Sequence, residues 1–205
     1  MTATLLFLFQ VIMAWVYVVP QVISLNQGKV GGLTLTMWVA FIGYLSVSLS
    51  LAVMAWKEKR ETIRLFTVII FAQWIVFTIV MLAFGFRTVA WSDEDSVVTI
   101  VITLMSVGTI WRLGLKNPMT RGWLAVWSKA VPQLWSAHVM WAAQNSEWLP
   151  ALSLLATHAT SLPRFVQVYL QGRRGGWDTP TKGLMLGESA NIISWLIVTI
   201  VWFTV

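Results

Sequence analysis

Cysteine is absent from the 205 residues, and histidine occurs only as His138 and His158. The first absence excludes disulfide staples, thiolate metal ligands and cysteine nucleophiles. The second, with no close carboxylate pair inside an apolar stretch, leaves no assembled set of nucleophile, base or metal. An enzyme is therefore not expected, nor is a cofactor. No Gly-x-x-x-x-Gly-Lys-Ser/Thr pattern occurs, so an ATP-driven motor within the chain is not expected either. Charge is also scarce: Asp and Glu together number eight, and 11% of positions are charged.

What is present is apolar. Hydrophobic residues make up 58% of the chain, Trp alone numbers 14, and the mean hydropathy is +0.74. Such a composition belongs in a bilayer rather than in an aqueous domain. The formal charge of +6 then reads as loops facing anionic lipid headgroups, not as a nucleic-acid signal.

Crossing about 30 Å of hydrocarbon takes roughly 20 helical residues. Seven windows meet that length: Leu5–Leu25, Leu33–Trp56, Ile63–Phe86, Ser96–Leu115, Gly122–Ala143, Leu149–Leu170 and Leu184–Val205. Met1–Thr4 carries no basic n-region and the first apolar run passes Val19 without a small-residue cleavage site, which argues against a cleaved leader. The segments after windows two, four and six hold Lys57, Lys59, Arg60, Arg64, Arg112, Lys116, Arg121, Arg173, Arg174 and Lys182. The other connections are poor in base: Lys29 alone, then Arg87 beside Asp93, Glu94 and Asp95, then Glu147. The positive-inside rule puts the N-terminus inside and the C-terminus outside, in agreement with an odd number of crossings. An integral, multi-pass protein of the plasma membrane is expected. The Asp93-Glu94-Asp95 run is read as a solvated loop, and Trp91, Trp148 and Trp177 as interfacial anchors.

An internal repeat is visible. Window one holds Ala14-Trp15-Val16-Tyr17-Val18-Val19-Pro20-Gln21, and window five holds Ala125-Val126-Trp127-Ser128-Lys129-Ala130-Val131-Pro132-Gln133. Both end in Val-Pro-Gln inside a span, and the two windows cross in the same direction, as parallel repeats require. The expected fold is thus an all-α membrane protein of seven transmembrane helices arranged 3+1+3: a triple-helix repeat over 1–88, a linker helix in 89–118, and a second triple-helix repeat over 119–205. A proline inside a span removes one backbone bond and weakens the helix locally, which makes Pro20 and Pro132, with Gln21 and Gln133 beside them, hinge candidates; a static kink is the alternative.

The Pro-Gln pair followed by Gln27-Gly28-Lys29 and Gly32-Leu33-Thr34 resembles the PQ-loop motif of the superfamily that includes the SWEET and SemiSWEET sugar transporters. Ser146-Glu147-Trp148-Leu149-Pro150-Ala151-Leu152-Ser153 resembles the stretch that opens the sixth helix of SWEETs, which adds Pro150 to the hinge candidates. The resemblance covers both triple-helix units in outline. It differs at Ala40, near the place where SWEETs carry a proline in helix two, and in putting both Pro-Gln loops on the outer side.

Polar groups within hydrocarbon normally face a bundle interior or a water-filled cavity. Gln73 and Asn191 occupy broadly corresponding positions in the third and seventh windows. SWEETs hold their sugar with an Asn pair on these helices, so the resemblance implies Gln73 and Asn191 as cargo contacts; bonds to neighbouring helices are the alternative. His158 and Glu188 are candidates for proton coupling, with His158 also a cargo contact. Lys129, one turn before Pro132, either snorkels to the inner face, neutralises an anionic cargo or pairs with Glu188. Arg164 is expected to snorkel, and His138 to pack at the outer interface. Trp56 and Trp74 are candidates for stacking on a cargo ring, as tryptophans do in SWEET cavities.

The expected function is movement of a small polar solute, such as a sugar, amino acid or vitamin, by alternating access with proline hinges. The alternatives are a peptide- or carboxylate-binding membrane receptor of the KDEL-receptor type and a non-transporting structural membrane subunit. The expected partners are the lipid bilayer and the solute, with a homo-oligomer left open and no nucleic acid.

Overall fold

The computed structural model describes residues 3–205; Met1 and Thr2, on which the leader reading partly rests, lie outside them. Seven helices account for the architecture. They are α1 (Ala3–Asn26), α2 (Thr36–Lys59), α3 (Thr62–Thr88), α4 (Asp93–Leu113), α5 (118–143), α6 (Ala151–Gly175) and α7 (Thr179–Thr204). No strand occurs among the described residues.

Helix ends follow local chemistry. Ser92 caps α4 and accepts from the Asp95 amide at 3.0 Å, while the Asp95 carboxylate accepts from the Ser92 amide, closing a capping box. Asn117 caps α5 just ahead of Pro118, and Asp178 caps α7 just ahead of Pro180, so a proline in the first turn gives up only an amide that had no helical partner. Asp178 accepts from the Thr181 amide at 2.9 Å. α7 consequently begins five residues before the first residue of the expected window, and α6 runs five residues past the last of its own.

α5 is one continuous helical segment built in three parts: Pro118–Ala125, a π-helical turn Val126–Ala130, and Val131–Ala143. The Val131 amide bonds to the Val126 carbonyl, one residue further back than in an α-helix. Pro132 explains the widened turn, because its ring would otherwise press on the carbonyl of Ser128. Pro20 sits inside α1 and Pro163 inside α6 with no such turn. Pro150 lies ahead of α6 as its cap residue, so it interrupts no helix and cannot act as an intrahelical hinge.

Five helices, α1 to α4 and α7, are long and apolar enough to cross a membrane. α5 and α6 fall outside that group, although seven spans were expected from the sequence. α6 carries Thr157, His158, Thr160, Ser161 and Arg164 along its middle, and α5 carries Arg121, Ser128, Lys129 and Gln133. Their polarity has a structural reason, since most of these side chains face the interior of the molecule.

Six helices form a closed ring. α1 lies between α3 and α6, α3 reaches α2, α2 packs on the middle of α5, and α7 joins α5 to α6. α4 stands outside the ring, against α2 and α5. Its outer face, including Val97, Ile100, Leu104 and Trp111, is exposed apolar surface of the kind that lipid covers. Its first turn is tied inward. Asp95 is buried and takes hydrogen bonds from the hydroxyls of Thr34 and Thr36, the latter at 2.7 Å. The solvated loop expected at 93–95 is corrected for Asp95, whose carboxylate closes the helix and binds the α1–α2 connection.

The base-rich connections gather at one end of the ring, at the C-terminal ends of α2, α4 and α6. At the opposite end the α1–α2 and α5–α6 connections press together: a Cβ on Gly32 would lie 2.9 Å from the Met140 Cα, and Gly32 has φ of +74°, which favours glycine. Trp148 packs there edge-on against Trp38, ring centroids 6.1 Å apart, each only 1% exposed. Trp148 is therefore a core residue and not the interfacial anchor expected. Trp91 is half-buried, stacked on Phe86 and donating to Ser96 at 2.7 Å, and Trp177 covers Gly172.

Candidate functional site: a central cavity open toward the basic end

A cavity of about 320 Å³ occupies the axis of the ring, and each of the six ring helices lines it. α4 contributes nothing to it. The lining residues recur at helical spacing: Gln10, Met13 and Tyr17 on α1; Phe41, Tyr44 and Leu45 on α2; Ile70, Phe71 and Trp74 on α3. α5 presents Arg121, Ala125, Ser128, Lys129 and Gln133; α6 presents Thr157, Thr160, Ser161 and Arg164; α7 presents Leu184, Glu188, Asn191 and Trp195.

The cavity is closed at depth. Tyr17, Met37, Trp38, Met81 and Trp195 form its floor, all buried. Tyr17 meets Trp74 and Trp195 edge-on at 5.6 and 6.4 Å. Behind them Leu25, Leu35, Met140, Leu149 and the Trp38–Trp148 pair fill the end away from the base-rich connections. The Ser153 hydroxyl donates to the Tyr17 carbonyl at 2.6 Å, tying α6 to α1 at this level.

Polar groups concentrate between floor and mouth. Asn191 is buried, and its side-chain oxygen accepts from the Gln133 amide at 3.3 Å; Gln133 in turn accepts from the Ser194 hydroxyl. The amide of Asn191 is thus positioned by α5 while still lining the cavity. In α1 Gln21, next to Pro20, is completely buried, makes no hydrogen bond of ordinary geometry, and has Tyr17 as its polar neighbour. Nearer the mouth, Arg164 pairs with Glu188 at 3.4 Å. The Lys129 ammonium lies 5.5 Å from the centre of the Tyr44 ring, and the Arg121 guanidinium 5.4 Å from that of Phe71. Arg164, 36% exposed at the mouth, also donates to the Gln167 side-chain oxygen at 3.3 Å. Lys129 faces the cavity without pairing with Glu188, since neither it nor Arg121 belongs to an ion pair among the described residues.

The cavity brings together Trp74, Asn191, Glu188, Lys129 and Gln133 from the residues singled out in the sequence. Three of the expected cargo contacts lie elsewhere. Gln73 is turned toward α1 and donates to the Val11 carbonyl at 3.3 Å, because Trp74 takes the inward direction and successive helical residues diverge by about 100°. His158 is 2.7 Å from the Thr199 hydroxyl, bridging α6 and α7 outside the cavity lining. Trp56 lies at the base-rich end of α2 under the Arg60 guanidinium, 4.5 Å from its ring. The expectations of cargo contact at Gln73, His158 and Trp56, and of proton coupling through a cavity-facing His158, do not fit this placement. His138 is exposed beside Trp135, 5.1 Å away. Tyr44, Arg121 and Phe71 were missed. For Arg121 the signal was helical phase, since Arg121, Ala125, Lys129 and Gln133 recur every four residues and all line the cavity; Tyr44 and Phe71 carried no such signal.

No family model, curated protein or solved structure matches this chain.

Proposed function

We propose that the protein is a membrane transporter that moves a small polar solute by alternating access. The observation that carries this reading is the cavity itself, closed by packed aromatic and aliphatic side chains at one end and lined by polar groups toward the other. A static structural subunit has no use for Lys129, Glu188 and Asn191 directed into a common space, because ionisable groups at such depth are costly unless water or a ligand meets them.

The helix contacts support a 3+1+3 reading. Exchanging α1 with α5, α2 with α6 and α3 with α7 turns every contact of the ring into another contact of the ring: α1–α3 becomes α5–α7, α2–α3 becomes α6–α7, and α2–α5 becomes α6–α1. This is the pattern expected of parallel repeats over 1–88 and 119–205 with α4 as the linker. Under that exchange Pro20 and Gln21 correspond to Pro132 and Gln133. With the basic end in the cytoplasm of a cell bounded by its plasma membrane, the cavity is in the inward-open state. Reopening on the other face requires parting of the Trp38–Trp148 contact and closure of the mouth.

The test is solute counterflow in proteoliposomes, using radiolabelled glucose, alanine, nicotinamide riboside and a small organic anion in parallel. Uptake of at least one, reduced tenfold or more by Asn191→Leu and by Trp74→Ala in protein that still folds, is the expected result. Absence of flux for all four contradicts the proposal, and binding without flux points to a receptor.

A further inference from the structure

We infer that the cavity selects a small organic anion, one with a single carboxylate on an apolar or aromatic body. The inference rests on the cavity being the solute site proposed above, and it names the class of solute. Four charged side chains line the space: Arg121, Lys129, Arg164 and Glu188. Arg164 and Glu188 pair at 3.4 Å and offset each other. That leaves Arg121 and Lys129 as two positive charges with no carboxylate within ion-pair distance among the described residues.

These two cations share one helix face two turns apart, about 12 Å at 1.5 Å per residue. Both lie beside aromatic rings, Phe71 and Tyr44, and the Tyr44 hydroxyl stands in the combined field of Lys129, Arg121 and Glu188. Phe41 and Trp74 continue the aromatic wall, ring centroids 6.0 Å apart. A neutral sugar would offer these cations nothing to offset, and a cationic solute would be repelled. An anion gains charge-assisted hydrogen bonds in a site of low dielectric, while its body covers the aromatic wall. The volume of about 320 Å³ is at the small end for ligand pockets and suits a one-ring solute. Lys129 is the deeper of the two, one helical turn from Gln133, whose amide bonds Asn191. The carboxylate therefore sits between Lys129 and Asn191, with Arg121 guiding entry at the mouth.

The experiment compares three near-isosteres, 3-phenylpropionate, 3-phenylpropionamide and 3-phenylpropylamine, by calorimetric titration into the full chain in lipid nanodiscs and by counterflow in proteoliposomes. The expected order of affinity is anion, then amide, then amine. Lys129→Gln should lower affinity for the anion tenfold or more, and Lys129→Arg, which keeps the charge, should retain most of it. Salt should weaken the anion's binding and leave the amide's unchanged. Equal affinity for the three, no binding by any, or an unaltered anion affinity in a folded Lys129→Gln protein overturns the inference. The two readings fail separately: flux of neutral solutes without anion preference sinks the anion inference and keeps transport, whereas anion-selective binding without flux does the reverse.

Discussion

Asp95 illustrates how one side chain can carry two jobs. Its carboxylate completes the α4 capping box and holds the hydroxyls of Thr34 and Thr36. Asp95→Ala should destabilise the protein by about 2–3 kcal/mol, since two buried hydroxyls and a helix-end amide lose their acceptor together. Asp95→Asn, which keeps one oxygen, should cost less; thermal unfolding in detergent of the two variants measures the difference. Asp178 is the simpler case. It lies outside the apolar spans, and its hydrogen bonds with Thr181 hold the carboxyl below its usual value of 3.8. A lowered pKa means that the ionised cap stabilises α7 above that value and that the contribution disappears as pH falls through the folded-state pKa. The melting-temperature advantage of the native protein over Asp178→Ala should therefore be present at pH 7 and shrink below pH 3.8.

At the scale of elements, α5 and α7 are held backbone to backbone. A Cβ at Gly183 would lie 2.5 Å from the Pro118 carbonyl oxygen, one at Gly122 would run into Gly183, and one at Gly187 would come within 3.0 Å of the Ala125 side chain. Small residues permit this approach, which is how membrane helices gain dispersion contacts without a hydrophobic driving force between them. Gly183→Leu must push the helices apart at the cavity mouth, and we expect a melting temperature lowered by several degrees with loss of solute binding. Gly43→Leu, on α2 where a Cβ meets nothing within 4 Å, should be tolerated far better.

Five helices, α1 to α4 and α7, were legible in the sequence because apolar length alone specifies them. α6 ran further than expected because its last turns are polar, around Gln171-Gly172-Arg173. The cavity was only partly legible. Depth along a span is readable from position, yet Gln73 and His158, the deepest by that measure, do not line the cavity, whereas Lys129 was noted for its place one turn before Pro132 and Asn191 through the family resemblance; the direction a side chain faces is set by the neighbouring helix. Gln73 and Trp74 are adjacent in sequence, yet one bonds α1 and the other enters the cavity. Arg164 and Glu188 meet across 24 residues, a pairing missed because Arg164 was read as snorkelling and Glu188 as a proton-coupling group or a partner for Lys129.

At the scale of the whole molecule, the ring encloses a space reached from the base-rich end and sealed at the other by Trp38, Trp148 and their aliphatic neighbours. The chain's lack of cysteine offers a direct test. A single Thr160→Cys places a thiol in the cavity, and Ile200→Cys places one on the exposed apolar face of α7. The decisive measurement is the rate at which each reacts with a membrane-impermeant, negatively charged methanethiosulfonate added to one side of sealed vesicles. Thr160→Cys should react readily from the side of the basic connections, react more slowly from the other side, and be protected by a bound solute, while Ile200→Cys stays inert from both. If Thr160→Cys is as unreactive as Ile200→Cys, no water-filled route reaches the middle of the ring, and the transport account is contradicted.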